Sequence, residues 1–155
     1  VCCDFIERPV ALCCDHSGFQ AKEQAKDILS RMGISYIDFG AWVDRSSDYN
    51  DFVLAATNSI KSGVCNFGFG FCCTGQGVNI AANKVNGIRS ALIMNEYMAE
   101  MSRRHNCANF FSFPAKFLDK ESIQSIVFSL VSSSFDGGRH MTRMQKTMNI
   151  EKQCQ

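Results

Sequence analysis

Apolar positions along this chain follow two alternating rhythms. Short continuous runs such as Val10 to Cys14 fit strands buried on both faces, and stretches with apolar residues every third or fourth position fit amphipathic helices. After the first run, Ala21, Ala25, Ile28, Leu29 and Met32 recur at helical spacing, and Gly33 supplies a C-terminal stop. Ile34 to Phe39 predicts a second strand, Asp51 to Ser62 a second helix closed by Gly63, and Cys65 to Phe71 a third strand entering a glycine turn. Strand signals return at Ser90 to Met94 and Phe110 to Phe113, with a helix from Glu96 to about His105 between them. Asp119 is placed to cap a helix whose Ile123, Ile126, Val127, Leu130 and Val131 form one stripe, and Gly137-Gly138 precedes a last helix. Parallel strands need crossovers, so this alternation predicts an α/β fold: a Rossmann-like three-layer α/β/α sandwich around a five-stranded parallel sheet.

Composition narrows the class. The 155 residues are 46% hydrophobic and 20% charged, Pro9 and Pro114 are the only prolines, and no internal repeat divides the chain. A single domain over 1–155 is expected, with its core at about 10–148 and residues 1–8 reading as an extension. Sixteen lysines and arginines against 15 acids leave a formal net charge of +1, too little field to hold a nucleic acid, so any anion must be bound locally. No leader pattern opens the sequence and no apolar run approaches the ~18 residues of a membrane span, which predicts a cytoplasmic protein without a membrane partner. The nine cysteines are odd in number and mostly adjacent (2-3, 13-14, 72-73). That pattern suits neither disulfides nor the C-x-x-C hooks of a zinc site, so reduced thiols and no metal are expected.

In open parallel sheets ligands bind at the carboxyl ends of the strands, and those ends carry the chemistry here. Strand one leads into Asp15-His16-Ser17-Gly18, and strand three into Cys72-Cys73-Thr74-Gly75-Gln76-Gly77 followed by a helix-compatible Val78 to Ala82. A strand that turns through glycines into a helix presents free N–H groups and the positive end of a helix dipole to one spot. A cysteine beside such a helix start can ionise nearer neutrality than a free thiol, and Cys72 is the best-placed thiol. Taken alone, C-x-T-G-x-G is equally compatible with a tight turn around a small buried cysteine. A P-loop lacks its Lys-Ser/Thr, a dinucleotide fingerprint lacks its third glycine, and a cysteine phosphatase lacks its downstream arginine, since Val78 and Asn79 occupy that region. The three histidines, His16, His105 and His140, all fall in polar turn-like motifs. Arg139 and Arg143 share a helix face and can fork onto one phosphate, or form a solvated basic face. Met141, Met144 and Met148 lie on the opposite face, as a packing stripe for a partner subunit.

In order along the chain, CDHSGF at 14–19, DFG at 38–40, DYNDF at 48–52, CCTGQGVNIAANKVNGIRSAL at 72–92, RRHNCAN at 103–109 and FDGGRHMTR at 135–143 resemble the type B ribose-5-phosphate isomerase family, which also holds galactose- and allose-6-phosphate isomerases. The resemblance covers about 10–148. It implies interconversion of ribose 5-phosphate and ribulose 5-phosphate without metal or organic cofactor, in a homodimer that can pair into tetramers and shares its active sites between subunits. Cys72 matches the base that moves a proton between C1 and C2, with the N–H groups around Thr74, Gly75 and Gly77 as the hole for the ene-diolate. His105, assisted by Asp15, matches the ring-opening groups. Asn106 and Tyr49 match residues that hold and line the substrate, and His16, Arg139, His140 and Arg143 the phosphate set. Lys116 stands where the family has an arginine, contributed across the interface. Cys73 replaces a glycine, which implies an unusual backbone angle or a narrowed anion hole, and Asn50 replaces a proline. Two rivals follow: a hexose-phosphate isomerase, and a sugar-phosphate-binding module whose catalysis is weakened through Cys73 or Lys116. A thiol-redox protein would need the C-x-x-C that is missing.

Overall fold

The computed structural model of the chain describes residues 7–154. Strands and helices alternate as β1 (Val10–Cys14), α1 (Phe19–Arg31), β2 (Tyr36–Asp38), α2 (Tyr49–Lys61), β3 (Gly68–Cys72), α3 (Gln76–Asn83), β4 (Ser90–Leu92), α4 (Glu96–Arg104), β5 (Phe110–Pro114), α5 (Lys120–Ser132) and α6 (Arg139–Gln153), with a 3-10 turn at Ala115–Phe117. The five strands form one sheet in the order β2-β1-β3-β5-β4, and every pairing is parallel. The fold predicted from the alternation is the fold observed.

The sequence Gly-Phe-Gly-Phe-Cys of β3 explains how the two faces are filled. Successive side chains point to opposite sides, so Phe69 and Phe71 join Phe67, Phe111 and Phe113 under α1, α4 and α5. Phe71 and Phe113 stack with ring centroids 4.5 Å apart, and each buried phenylalanine contributes about 1.5–3 kcal/mol. On the other face Gly68 and Gly70 leave room for the Phe110 ring, which a Cβ at either position would meet at 2.9 or 2.8 Å. Val53 and Ala56 of α2 and Val78 and Ala82 of α3 close over that ring. Cys72 is the next residue on this face. The apolar run suggests a strand over 65–71, but β3 begins at Gly68 and ends at Cys72, so the thiol sits on the last residue of a rigid strand.

Asp119 caps α5 as predicted, accepting from Ser122 N–H at 2.8 Å. Of the predicted extension over 1–8, only Glu7 and Arg8 belong to the described residues; the rest lies outside them. Among the described residues no helix is long and apolar enough to cross a membrane. Cys13, Cys14, Cys65, Cys72, Cys73 and Cys154 are free thiols. Cys107 departs from the expected reduced set, being disulfide-bonded; an odd cysteine count argues against complete pairing but leaves room for a single bridge.

Candidate functional site

The carboxyl edge of the sheet gathers the first half of the site. Asp15, at the end of β1, accepts from Ser17 Oγ at 2.6 Å and from Gly18 N–H at 3.0 Å. Gly18 lets this turn press on β3, for a Cβ there would lie 2.2 Å from the Phe71 carbonyl oxygen. Cys72 is 5% exposed and opens onto the start of α3. Gly75 caps that helix at φ +73°, and no side chain caps it, so first-turn amides remain for an anion. A Cβ at Gly75 would lie 2.6 Å from Leu92 Cδ1 and 3.0 Å from the Pro114 nitrogen, which makes glycine a requirement of both angle and space. Tyr49, the first residue of α2, lays its ring on Gly77, where a Cβ would be 2.6 Å from Cζ and 2.9 Å from Oη. The buried thiols nearby are different in kind: burial pushes Cys13 far up and Cys14 up to about 11, so both stay protonated and inert.

Cys73 and Thr74 are exposed here, as is His16. Lys116 lies at this edge of its own chain, its backbone N–H donating to the Cys73 carbonyl at 3.0 Å. Among the described residues, Cys107 is the one non-glycine at positive φ. Cys73 therefore adopts no left-handed backbone angle, contrary to one of the two consequences expected of a cysteine at that position.

Two buried networks steady this half. Lys22, fully buried on α1, donates to both oxygens of Asp38 at 2.7 and 2.8 Å, and Gly40 N–H donates to Asp38 at 2.9 Å; that is the physical content of the DFG motif. Ser90 Oγ contacts Asn79 Oδ1 at 2.8 Å and Ser112 Oγ at 3.0 Å, pinning α3 to β4 and β5.

The second half lies at the amino edge. His105 ends α4, on the path back toward the first residue of β5, and its ring stacks on that of His140 with centroids 4.1 Å apart and planes 6° from parallel. Asp136 stands 3.7 Å from His105 Nε2 and is gripped by Arg104, whose Nε and Nη2 donate at 3.1 and 3.2 Å. That fork holds the Asp136 carboxyl below the usual carboxylate range. Burial first, then the charges of His105, Arg139 and Arg143, disfavours a proton on His140. Two close imidazoles cannot both carry charge cheaply, and the lowered proton affinity of His140 reflects that. His105, Asn106, His140 and Arg143 line a groove of about 800 Å³ whose far wall is the end of α3 and the 84–90 loop. Arg139 opens α6 but is not among the lining residues. Met144 and Met148 line the groove together with Arg143, so the expected separation of a methionine face from an arginine face does not hold. His105, Asp136 and His140 bring ligand atoms within 4.8 Å of one another. Parallel stacked rings, however, cannot aim their in-plane lone pairs at one ion, and Asp136 is already engaged by Arg104, so the trio suits proton and anion handling better than a metal.

These halves do not meet within one chain. The five residues of β3 span about 16 Å at ~3.3 Å per residue, and the eight of α3 about 12 Å at ~1.5 Å per residue. Cys72 sits at the start of α3, whereas the histidine–arginine groove is walled by its end. The thiol and the basic side chains of the last helix, which the sequence suggested as one constellation, lie apart: Cys72 is not among the residues that line the groove with His105, His140 and Arg143. Asp136, Arg104, Asn79 and Ser90 carry no local signal that would have singled them out, since each acts through a partner distant in sequence.

A thiol over helix amides at one edge, and an anion-binding groove with a histidine pair at the other, is the equipment of a proton-transfer enzyme for small anionic substrates. The chain belongs to the Ribose/Galactose Isomerase family, whose profile matches residues 10–147. It is 32% identical over 145 residues to ribose-5-phosphate isomerase B of Escherichia coli, covering 94% of this chain and 97% of that protein. The structure of Clostridium thermocellum ribose-5-phosphate isomerase B superimposes with a TM-score of 0.93 at 41% identity, covering 95% of this chain and 99% of that one. Mycoplasma genitalium ribose-5-phosphate isomerase B with bound ribulose 5-phosphate gives a TM-score of 0.89 at 30% identity, covering 95% and 98%.

Proposed function

We propose that this chain is an aldose-ketose isomerase that interconverts ribose 5-phosphate and ribulose 5-phosphate as a homodimer, each active site combining the carboxyl edge of one subunit with the amino-edge groove of the other. The observation that carries the reading is the placement of Cys72 beside an uncapped, glycine-started helix, in a chain whose relatives include an isomerase holding ribulose 5-phosphate. The dimer is supported by α6, where His140 is the only buried residue while Ile150 stays 59% exposed. Apolar positions left open on a long helix call for a partner. A cytoplasmic location is the reading that the six free thiols among the described residues support, against the single bridge at Cys107.

Arg143 and His140 anchor the phosphate, and its binding energy positions the distant reacting carbons. His105 delivers a proton to the ring oxygen as the C1 hydroxyl loses one toward Asp15, which opens the furanose to the aldehyde. The Cys72 thiolate then takes the C2 proton. Amides at 74, 75 and 77 stabilise the ene-diolate oxygens, with Asn106, Tyr49 and His16 holding the hydroxyls and Lys116 adding positive charge at the rim. Return of the proton to C1 gives the ketose and regenerates the thiolate, so no electrons leave the substrate.

Hybrid dimers test the shared site. Cys72→Ala and His105→Ala homodimers should each lose about 10²–10⁴ in kcat. In a mixture of the two, half the dimers are hybrids, and each hybrid contains one intact site, so about a quarter of wild-type activity should return. No recovery on mixing, with hybrid formation verified by native mass spectrometry, would break the two-half reading. Faster turnover of a hexose phosphate than of ribose 5-phosphate would move the substrate assignment.

A further inference from the structure

Arg89, the residue before β4, has no role in the site described so far. Its Nε and Nη2 both donate to the Cys107 carbonyl, at 2.9 and 2.7 Å. Its Nη1 lies on the other side, 3.4 Å from Met148 Sδ on α6. Its backbone N–H donates to Asn109 Oδ1 at 2.8 Å, and Asn109 Nδ2 donates to the Gly87 carbonyl at 2.9 Å. Gly87 N–H in turn donates to Glu151 of α6 at 2.9 Å. One half-buried guanidinium thus joins three pieces of the groove wall: the 87–89 loop, helix α6 and the turn that follows α4.

That turn needs holding. Cys107, at φ 48°, is the one non-glycine among the described residues in the left-handed region, where L side chains are strained. His105 lies two residues before it at the end of α4, so the direction of the Cys107 peptide sets how the His105 ring enters the groove. A forked pair of charge-assisted hydrogen bonds to one carbonyl fixes that direction. A lysine, with a single compact ammonium on a flexible stem, cannot reproduce the planar fork.

We propose that Arg89 is a positioning residue for ring opening: its fork on the Cys107 carbonyl aims His105 into the groove and ties it to the helix that bears Arg143. This rests on the assignment of ring opening to His105, and the experiment separates the two. Ribulose 5-phosphate has its C5 oxygen esterified and cannot close to a furanose, so exchange of its C1 hydrogen with solvent deuterium needs the base but not ring opening. In Arg89→Lys and Arg89→Met, kcat on ribose 5-phosphate should fall about tenfold or more, while C1 exchange measured by NMR stays within about twofold of wild type. His105→Ala is the control and should show the same split; loss of exchange along with turnover in that variant sinks the ring-opening assignment, and the Arg89 proposal with it. If His105→Ala does split them, equal loss of both activities in the Arg89 variants, or no loss of either, overturns the positioning role alone. A rise in KM for both sugars at unchanged kcat would overturn it as well, by making Arg89 a phosphate ligand.

Discussion

At the carboxyl edge the groups offered to an anion are main-chain amides, fixed by Gly75 at φ +73° and by the contact of Gly77 with Tyr49. At the amino edge they are side chains, His105, His140 and Arg143, on the end of one helix and on another whose single buried residue is His140. The first half is complete when the chain folds, because the same close contacts that build the core also set the amides. The second depends on ring stacking and an arginine-held carboxylate, contacts between side chains far apart in sequence. Backbone recognition cannot be removed by truncating a side chain, only by forcing the backbone to move; side-chain recognition can be removed one residue at a time.

Gly75→Ala is the sharpest attack on the backbone half. The new methyl would sit 2.6 Å from Leu92 Cδ1 and 3.0 Å from the Pro114 nitrogen, at a positive φ, so the start of α3 must shift. Loss of one oxyanion donor costs about 10²–10³ in kcat, and displacement of the turn should cost at least as much. Strain of this kind destabilises by about 1–3 kcal/mol, so thermal unfolding should show a lowered Tm. Near-normal kcat in a folded Gly75→Ala protein would mean that the amides at the start of α3 do not bear on the reaction.

Arg143→Ala attacks the side-chain half and should behave differently. A charge-assisted hydrogen bond is worth about 1.5–3 kcal/mol, so KM for ribose 5-phosphate should rise about 10–100-fold with a much smaller change in kcat. Anchoring far from the reacting carbons is felt mostly as binding. Steady-state kinetics with both sugars decides the matter, and an equal fall in kcat would place Arg143 closer to the chemistry than the phosphate.

The same contrast explains what could be read from the sequence. Strand and helix order, the Asp119 cap and the glycine-turned thiol are local patterns, in which the residues that define the feature are neighbours in the chain. Arg89, Arg104 and Asp136 are ordinary charged residues until folding brings the Cys107 carbonyl and His105 beside them. Lys22 lies in what reads as an amphipathic helix, yet it is fully buried because Asp38, sixteen residues on, receives it. Motif order gave the half-sites their members but not their separation, because distance across a sheet depends on strand direction, and the match between segments carries no coordinates.

Cys73→Gly is the smallest perturbation and tests whether family position or local geometry governs the thiol loop. A glycine's usual reasons are a positive φ or a close approach, and neither applies: Cys73 is exposed and lies outside the positive-φ set. Its carbonyl already accepts from Lys116 N–H at 3.0 Å, a bond that glycine would keep. Restoring glycine therefore removes a side chain from the rim without releasing strain, and it adds backbone freedom to the unfolded chain at a cost of about 0.5–1 kcal/mol. The kcat on ribose 5-phosphate should change by no more than about twofold, with Tm slightly lowered. A tenfold gain would show that the thiol of Cys73 obstructs the amide hole, and the carboxyl edge would then be set by its side chains as much as by its backbone.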